Sequence, residues 1–124
     1  MKIIEAINKI DSLHHNTYDQ VKKVEWLSEL DGYVKTNIID THEGSELVTF
    51  NGYNAQTDLQ TELLVPAPFD SVYLKWLEAQ IHYANGEYDK YNNAIVMYNA
   101  AYDAYAAYYN RTIMPVINGR RFLF

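Results

Sequence analysis

Four histidines, His14, His15, His42 and His82, and sixteen carboxylates are the groups through which this chain could do acid–base or metal chemistry. Asp40, His42, Glu43 and Glu46 crowd one short stretch, and a carboxylate-rich loop with one histidine can hold a cation. Their spacing matches no zinc or calcium loop pattern, and the stretch is not a helical His-Glu-x-x-His motif. A solvated acidic turn is the favoured reading, so no metal and no cofactor is expected. His14 and His15 read as helix-terminus residues, and His82 as a helix-face residue, in preference to ligands. Ser12, Ser28, Ser45 and Ser71 lack the glycine-flanked elbow that exposes a nucleophilic serine. There is no glycine-rich phosphate loop and no dinucleotide fingerprint. Carboxylate pairs such as Glu29 with Asp31, or Glu43 with Glu46, could move protons only if burial shifted their affinities, and nothing in their flanks predicts burial. The absence of cysteine excludes disulfides, thiolate metal sites and cysteine nucleophiles together. No catalytic residue is assigned, and the chain is not expected to be an enzyme.

The elements that carry these groups follow from the hydrophobic spacing. Ile3, Ile7 and Ile10 recur at offsets of four and three, which predicts a short amphipathic helix from Ile3 to Leu13. Thr17 or Asp19 can cap a second helix whose apolar positions run through Val24, Leu27, Leu30, Val34 and Ile38 to about Ile39. Gly32 lies inside it, where a kink or an early end is expected. From Asp40 to Phe69 the helical period is lost, and Gly44, Gly52, Pro66 and Pro68 punctuate the stretch. Leu47-Val48-Thr49-Phe50 and Leu63-Leu64-Val65 are short apolar runs that read as small strands, and a short β-hairpin, or as extended segments on the helical body. A connection of that length is uncommon in a compact domain unless it carries function. Asp70 is expected to cap a third helix from Ser71 to Asn85, with Val72, Trp76, Ala79 and Tyr83 on its buried face. Asn85-Gly86 supplies a stop in which glycine takes the left-handed conformation.

The fourth helix, Tyr88 to Thr112, carries Tyr91, Ile95, Tyr98, Tyr102, Tyr105 and Tyr109 at alternating offsets of four and three, with alanines between them. Three readings fit this stripe: a core face wetter than usual, a helix face against another subunit, or a stacking platform for single-stranded nucleic acid. The third is weakened by the lack of any lysine or arginine from Tyr91 to Tyr109. A short turn between the third and fourth helices makes them an antiparallel pair. The fold class is therefore mainly α: one domain over 1–124, with two helices over 1–39, a long irregular loop over 40–69, a helical hairpin over 70–112 and an extended tail over 113–124.

A net charge of −6 argues against a protein built to grip a phosphate backbone. The charge is uneven, since residues 1–90 carry seven lysines against fifteen acids while residues 91–124 carry Arg111, Arg120 and Arg121 against Asp103. An acidic body and a basic end suit contacts between unlike surfaces, although accidental asymmetry on a solvated surface fits equally. No run is long enough to cross a bilayer, and Lys2, Glu5 and Lys9 interrupt any signal-peptide stretch, so a cytoplasmic origin and no membrane are expected.

Certain strings add a resemblance. Trp26-Leu27-Ser28-Glu29-Leu30-Asp31-Gly32, Ile38-Ile39-Asp40-Thr41-His42-Glu43-Gly44 and Thr61-Glu62-Leu63-Leu64-Val65-Pro66-Ala67-Pro68 are three of them. Tyr83-Ala84-Asn85-Gly86-Glu87-Tyr88, Tyr108-Tyr109-Asn110-Arg111 and Arg120-Arg121-Phe122 continue the series along nearly the whole chain. Together they resemble a family of small proteins encoded beside the major capsid gene in prophages of Gram-positive bacteria. That family resembles the head-to-tail connectors of long-tailed phages, also called adaptor or head-completion proteins.

The resemblance implies a mostly helical structural virion protein at the head–tail interface, present in the host cytoplasm during assembly. It implies a ring of about a dozen copies under the portal protein, with a tail or stopper protein below and DNA passing through the channel without specific binding. No single residue matches a universal family signature, so the carry-over is regional. The tail residues Arg120, Arg121, Phe122, Leu123 and Phe124 become the portal-binding candidates. Phe50, Tyr53, Leu63, Leu64 and Val65 become the ring-contact candidates on the loop. Tail and loop are both expected to gain their order by docking. The alternative is a small phage-encoded nucleic-acid-binding or regulatory protein.

Overall fold

The computed structural model describes residues 1–113, together with the two strand segments 116–117 and 120–121. The architecture is mainly helical: α1 (Ile3–Leu13), α2 (Gln20–Asn37), two 3-10 turns (Ile39–Thr41 and Ser45–Leu47), α3 (Ser71–Ala84) and α4 (Tyr88–Thr112). Beyond α4, β1 (Val116–Ile117) pairs antiparallel with β2 (Arg120–Arg121).

α1 buries Ile3, Ile7 and Ile10 as the spacing predicts, with Ala6 beside them. Its first amides, which no helix can satisfy internally, are taken by the long loop: Ile3 N–H donates to the Thr61 carbonyl and Ile4 N–H to that of Leu59, both at 3.0 Å. α2 starts where Asp19 accepts a 2.9 Å bond from the Lys22 amide. It passes through Gly32 without ending there, and its apolar stripe Val24, Leu27, Leu30 and Val34 lies wholly inside.

α3 buries Val72, Tyr73, Trp76, Leu77, Ala79 and Ile81. Two details depart from expectation. Tyr83 is exposed and stacks edge-on with Tyr88 and Tyr91 at the hairpin rim. Asp70 precedes α3 but makes no capping bond, because its backbone is itself helical (φ −70°, ψ −9°) and a capping side chain needs the extended conformation. α3 and α4 form the largest helix–helix contact, turning at Gly86 with φ +77°. Trp76 locks the other side of α3 by donating its indole N–H to the Trp26 carbonyl at 2.8 Å.

The tyrosine stripe of α4 faces this core. Tyr98 and Tyr105 are buried, and Ile95, Tyr102 and Tyr109 are partly buried against the same cluster. Tyr98 packs on Trp76, and Tyr105 on Phe69. Of the three readings, the core face accounts for these positions.

Candidate functional site

The loop between α2 and α3 is folded onto its own subunit, and no strand ladder forms in it among the described residues. Leu63 and Val65 are core residues, Tyr53 and Leu64 pack partly buried against the core, and the Phe50 ring lies edge-on to Tyr53. In the single subunit Leu63 and Val65 are buried, while Phe50, Tyr53 and Leu64 keep part of their surface open, so the loop is already packed on the helices where docking was expected to order it. A hairpin does not form because three successive amides go to three different partners. Leu63 N–H donates to the Met1 carbonyl at 2.9 Å, Leu64 N–H to Asp31 at 3.1 Å and Val65 N–H to the Tyr73 hydroxyl at 2.7 Å. Leu47, 84% exposed, is the loop's one large apolar side chain left in solvent among the described residues. Of the portal-binding candidates, the described backbone of Arg120 and Arg121 forms β2, while their side chains and Phe122, Leu123 and Phe124 lie outside the described residues.

Asp31 organises the loop, and nothing in its flanking sequence predicts this. It is 0% exposed, and its carboxylate accepts from the Tyr53 hydroxyl at 2.5 Å and the Tyr73 hydroxyl at 2.6 Å as well as from Leu64 N–H. Burial pushes its carboxyl above the ordinary 3.8, while the three donors pull the other way. Burial and the neighbouring Asp31 charge raise both tyrosine hydroxyls well above their usual range, so both remain protonated donors. A buried carboxylate here is structural: it ties the loop to α2 and α3, and its neighbour Glu29 is exposed.

His42 is buried as well, and not part of a solvated turn. Its Nδ1 lies 2.6 Å from the Ile38 carbonyl oxygen and its Nε2 2.7 Å from Asn110 Oδ1, joining the end of α2 to the end of α4. Nearby Asp40 pairs with Lys35.

Among the described residues, two surfaces carry groups suited to binding. The first is the outer face of α4, where Val96 is 63% and Met97 54% exposed. Asn92, Asn93, Asn99, Ala100, Ala104 and Ala107 are exposed around them. From Tyr91 to Asn110 the only charged residue is Asp103, so this solvent-facing surface is unusually poor in charge.

The second joins the C-terminal end of α1 to α3. His14 Nε2 lies 3.5 Å and His82 Nε2 3.7 Å from the same oxygen of Glu78, with all three residues partly buried. On the far side of the His82 ring, Nδ1 is 3.2 Å from Glu87 Oε1. Glu87 also accepts from Asn85 and Lys90, and these bonds, with that of His82, hold its carboxyl down to about 2. Spacing could have flagged Glu78 and His82, four apart on one helix, but placing His14 against them requires the α1–α3 packing.

No protein-family model, no curated protein and no solved structure matches this chain.

Proposed function

We propose that this chain is a structural adaptor of the head-to-tail connector type, which docks on a portal, assembles beside copies of itself and completes the head for tail attachment. The observation that carries this reading is the outer face of α4. A 25-residue helix that presents Val96, Met97 and a row of alanines to solvent, with one charge across twenty positions, has the composition of a surface that packs on another protein. Close-set alanines allow a second helix to approach with little steric obstruction. The motif strings that resemble prophage connectors add the partner's identity. The tail, with Arg120 and Arg121 ahead of Phe122, Leu123 and Phe124, supplies cations for a neighbour's carboxylates and apolar anchors for its pockets. On the loop, the partly exposed Phe50, Tyr53 and Leu64, together with the exposed Leu47, are the side chains that can take part in ring contact, while Leu63 and Val65 support them from the core. The excess of acids over the first ninety residues suits a channel wall along which DNA slides without sticking.

The test is co-assembly with a portal protein of a long-tailed phage of Gram-positive bacteria, viewed by electron microscopy. Wild-type protein should add a ring of density to the portal. Ala104→Glu, which carries a charge into the α4 face, and the double variant Phe122→Ala/Phe124→Ala should keep their helical content and add none. Unchanged portals with the wild-type chain, or normal rings with both variants, would remove the reading. Salt-sensitive DNA binding by the isolated chain would move it to the class of small nucleic-acid-binding or regulatory proteins.

A further inference from the structure

We infer that His14, Glu78 and His82 form a binding site for a borderline divalent transition-metal ion of the zinc class, seated where the end of α1 meets α3. The inference does not depend on the connector reading. Around a tetrahedral ion with bonds of about 2.1 Å, ligand atoms stand about 3.4 Å apart. The two histidine Nε2 atoms are 3.5 and 3.7 Å from Glu78 Oε1, and one ligand atom from each residue lies within 4.8 Å of the others. The set therefore needs only small side-chain rotations to close on an ion. Two imidazoles and one carboxylate suit zinc, cobalt or nickel in preference to magnesium or calcium, which take oxygen ligands.

Glu87 makes the strongest part of the case. Metal-binding histidines commonly donate their second ring N–H to a carboxylate, which fixes the tautomer and strengthens the ligand. His82 is placed for this arrangement: its Nδ1 is 3.2 Å from Glu87 Oε1, and in the tautomer that carries the proton there the Nε2 lone pair is turned toward Glu78. A neutral ring so held would oppose a lone pair to a carboxylate oxygen. A cation seated between the two, at the point His14 also reaches, satisfies both. His14 brings a third donor to the same point, its ring 5.8 Å from that of His82 and nearly perpendicular to it. An ion pair between His82 and Glu78 needs no such third group.

There is also room for a fourth ligand. Two clefts of about 230 Å³ open on the cluster, one lined by Glu78, His82, Asn93 and Met97, the other by Leu13, His14 and Glu78. Water can complete the coordination from either. Among the described residues this is the one group of three such side chains close enough to share an ion.

The test uses the full, untagged chain, freed of metal by chelator and titrated at neutral pH with zinc chloride by calorimetry and with cobalt chloride by visible absorption. The expected result is one ion per chain, a cobalt d–d spectrum of the intensity that four-coordinate sites give, and a rise in melting temperature with zinc. His14→Gln and His82→Gln should each abolish the cobalt spectrum while leaving far-UV circular dichroism unchanged. Glu87→Gln, which touches no metal, should weaken affinity by about 10–100-fold. His15→Gln should bind as wild type, which separates the site from a simple His-His surface pair. No saturable binding by the wild-type chain, or binding that survives loss of both His14 and His82, would overturn the inference and leave the three side chains as polar contacts between α1 and α3.

Discussion

Tyr73→Phe is the sharpest probe of how the long loop is held, because it removes one oxygen atom and leaves the ring in place. Tyr73 is fully buried. Its hydroxyl donates to Asp31 at 2.6 Å and accepts from the Val65 amide at 2.7 Å, so it relays the Val65 backbone to α2 beside the direct bond from Leu64 N–H. Phenylalanine fills the same space and opens no cavity. What is lost is one hydrogen bond to a charged group, worth about 1.5–3 kcal/mol, together with the partner of a buried N–H, whose orphaning costs about 1–3 kcal/mol. After relaxation and the relief of desolvating the hydroxyl, the expected loss is about 3 kcal/mol, a large part of the roughly 5–15 kcal/mol that stabilises a domain. For 124 residues the unfolding entropy near the midpoint is about 0.26 kcal/mol/K, so the melting temperature should fall by about 11 °C. Urea unfolding followed by circular dichroism measures the free energy, and an unchanged denaturant slope confirms that both end states are preserved. A loss below about 1 kcal/mol would refute the reasoning, since it would mean that neither bond is made in a dry environment.

Three further outcomes are expected. Asp31 has its proton affinity raised on folding, so its contribution to stability is complete below the ordinary 3.8 and is lost as the pH rises through the folded value. The stability of the wild type relative to Asp31→Asn should therefore decline from pH 4 to pH 7, and a flat difference would contradict the burial of a charge-bearing carboxyl. Lys23 is buried with its ammonium 2.6 Å from Asp11, whose side chain is 45% exposed. Because Asp11 is partly solvated, Asp11→Ala should cost about 1–2 kcal/mol, less than a fully buried pair, while Lys23→Met should be nearly neutral by chemical denaturation. Finally, Ala104→Glu on the α4 surface should change unfolding free energy by less than about 0.5 kcal/mol, so that any assembly defect it causes cannot be assigned to misfolding.

Helix positions and their apolar stripes were legible from the sequence alone. Ile3, Ile7 and Ile10, a cap at one of Thr17 and Asp19, the left-handed Gly86 and the bounds of α4 all follow from local rules, because a 3.6-residue period and a capping side chain act within a few residues of themselves; the choice of Asp19, and the failure of Asp70 to cap α3, were set by backbone conformation. The destinations of the polar groups were not legible. Asp31 and Glu29 look alike in sequence, yet one is sealed in the core and the other stays in water, because only Asp31 meets donors delivered by Tyr53, Leu64 and Tyr73 from more than twenty residues away. The same distance hid the meeting of His14 with Glu78 and His82, and the burial of Leu63 and Val65 in a stretch without periodicity. A polar side chain is buried or exposed according to whether the fold brings it partners that replace water. That choice belongs to the tertiary structure, since the partners are neighbours in space and strangers along the chain.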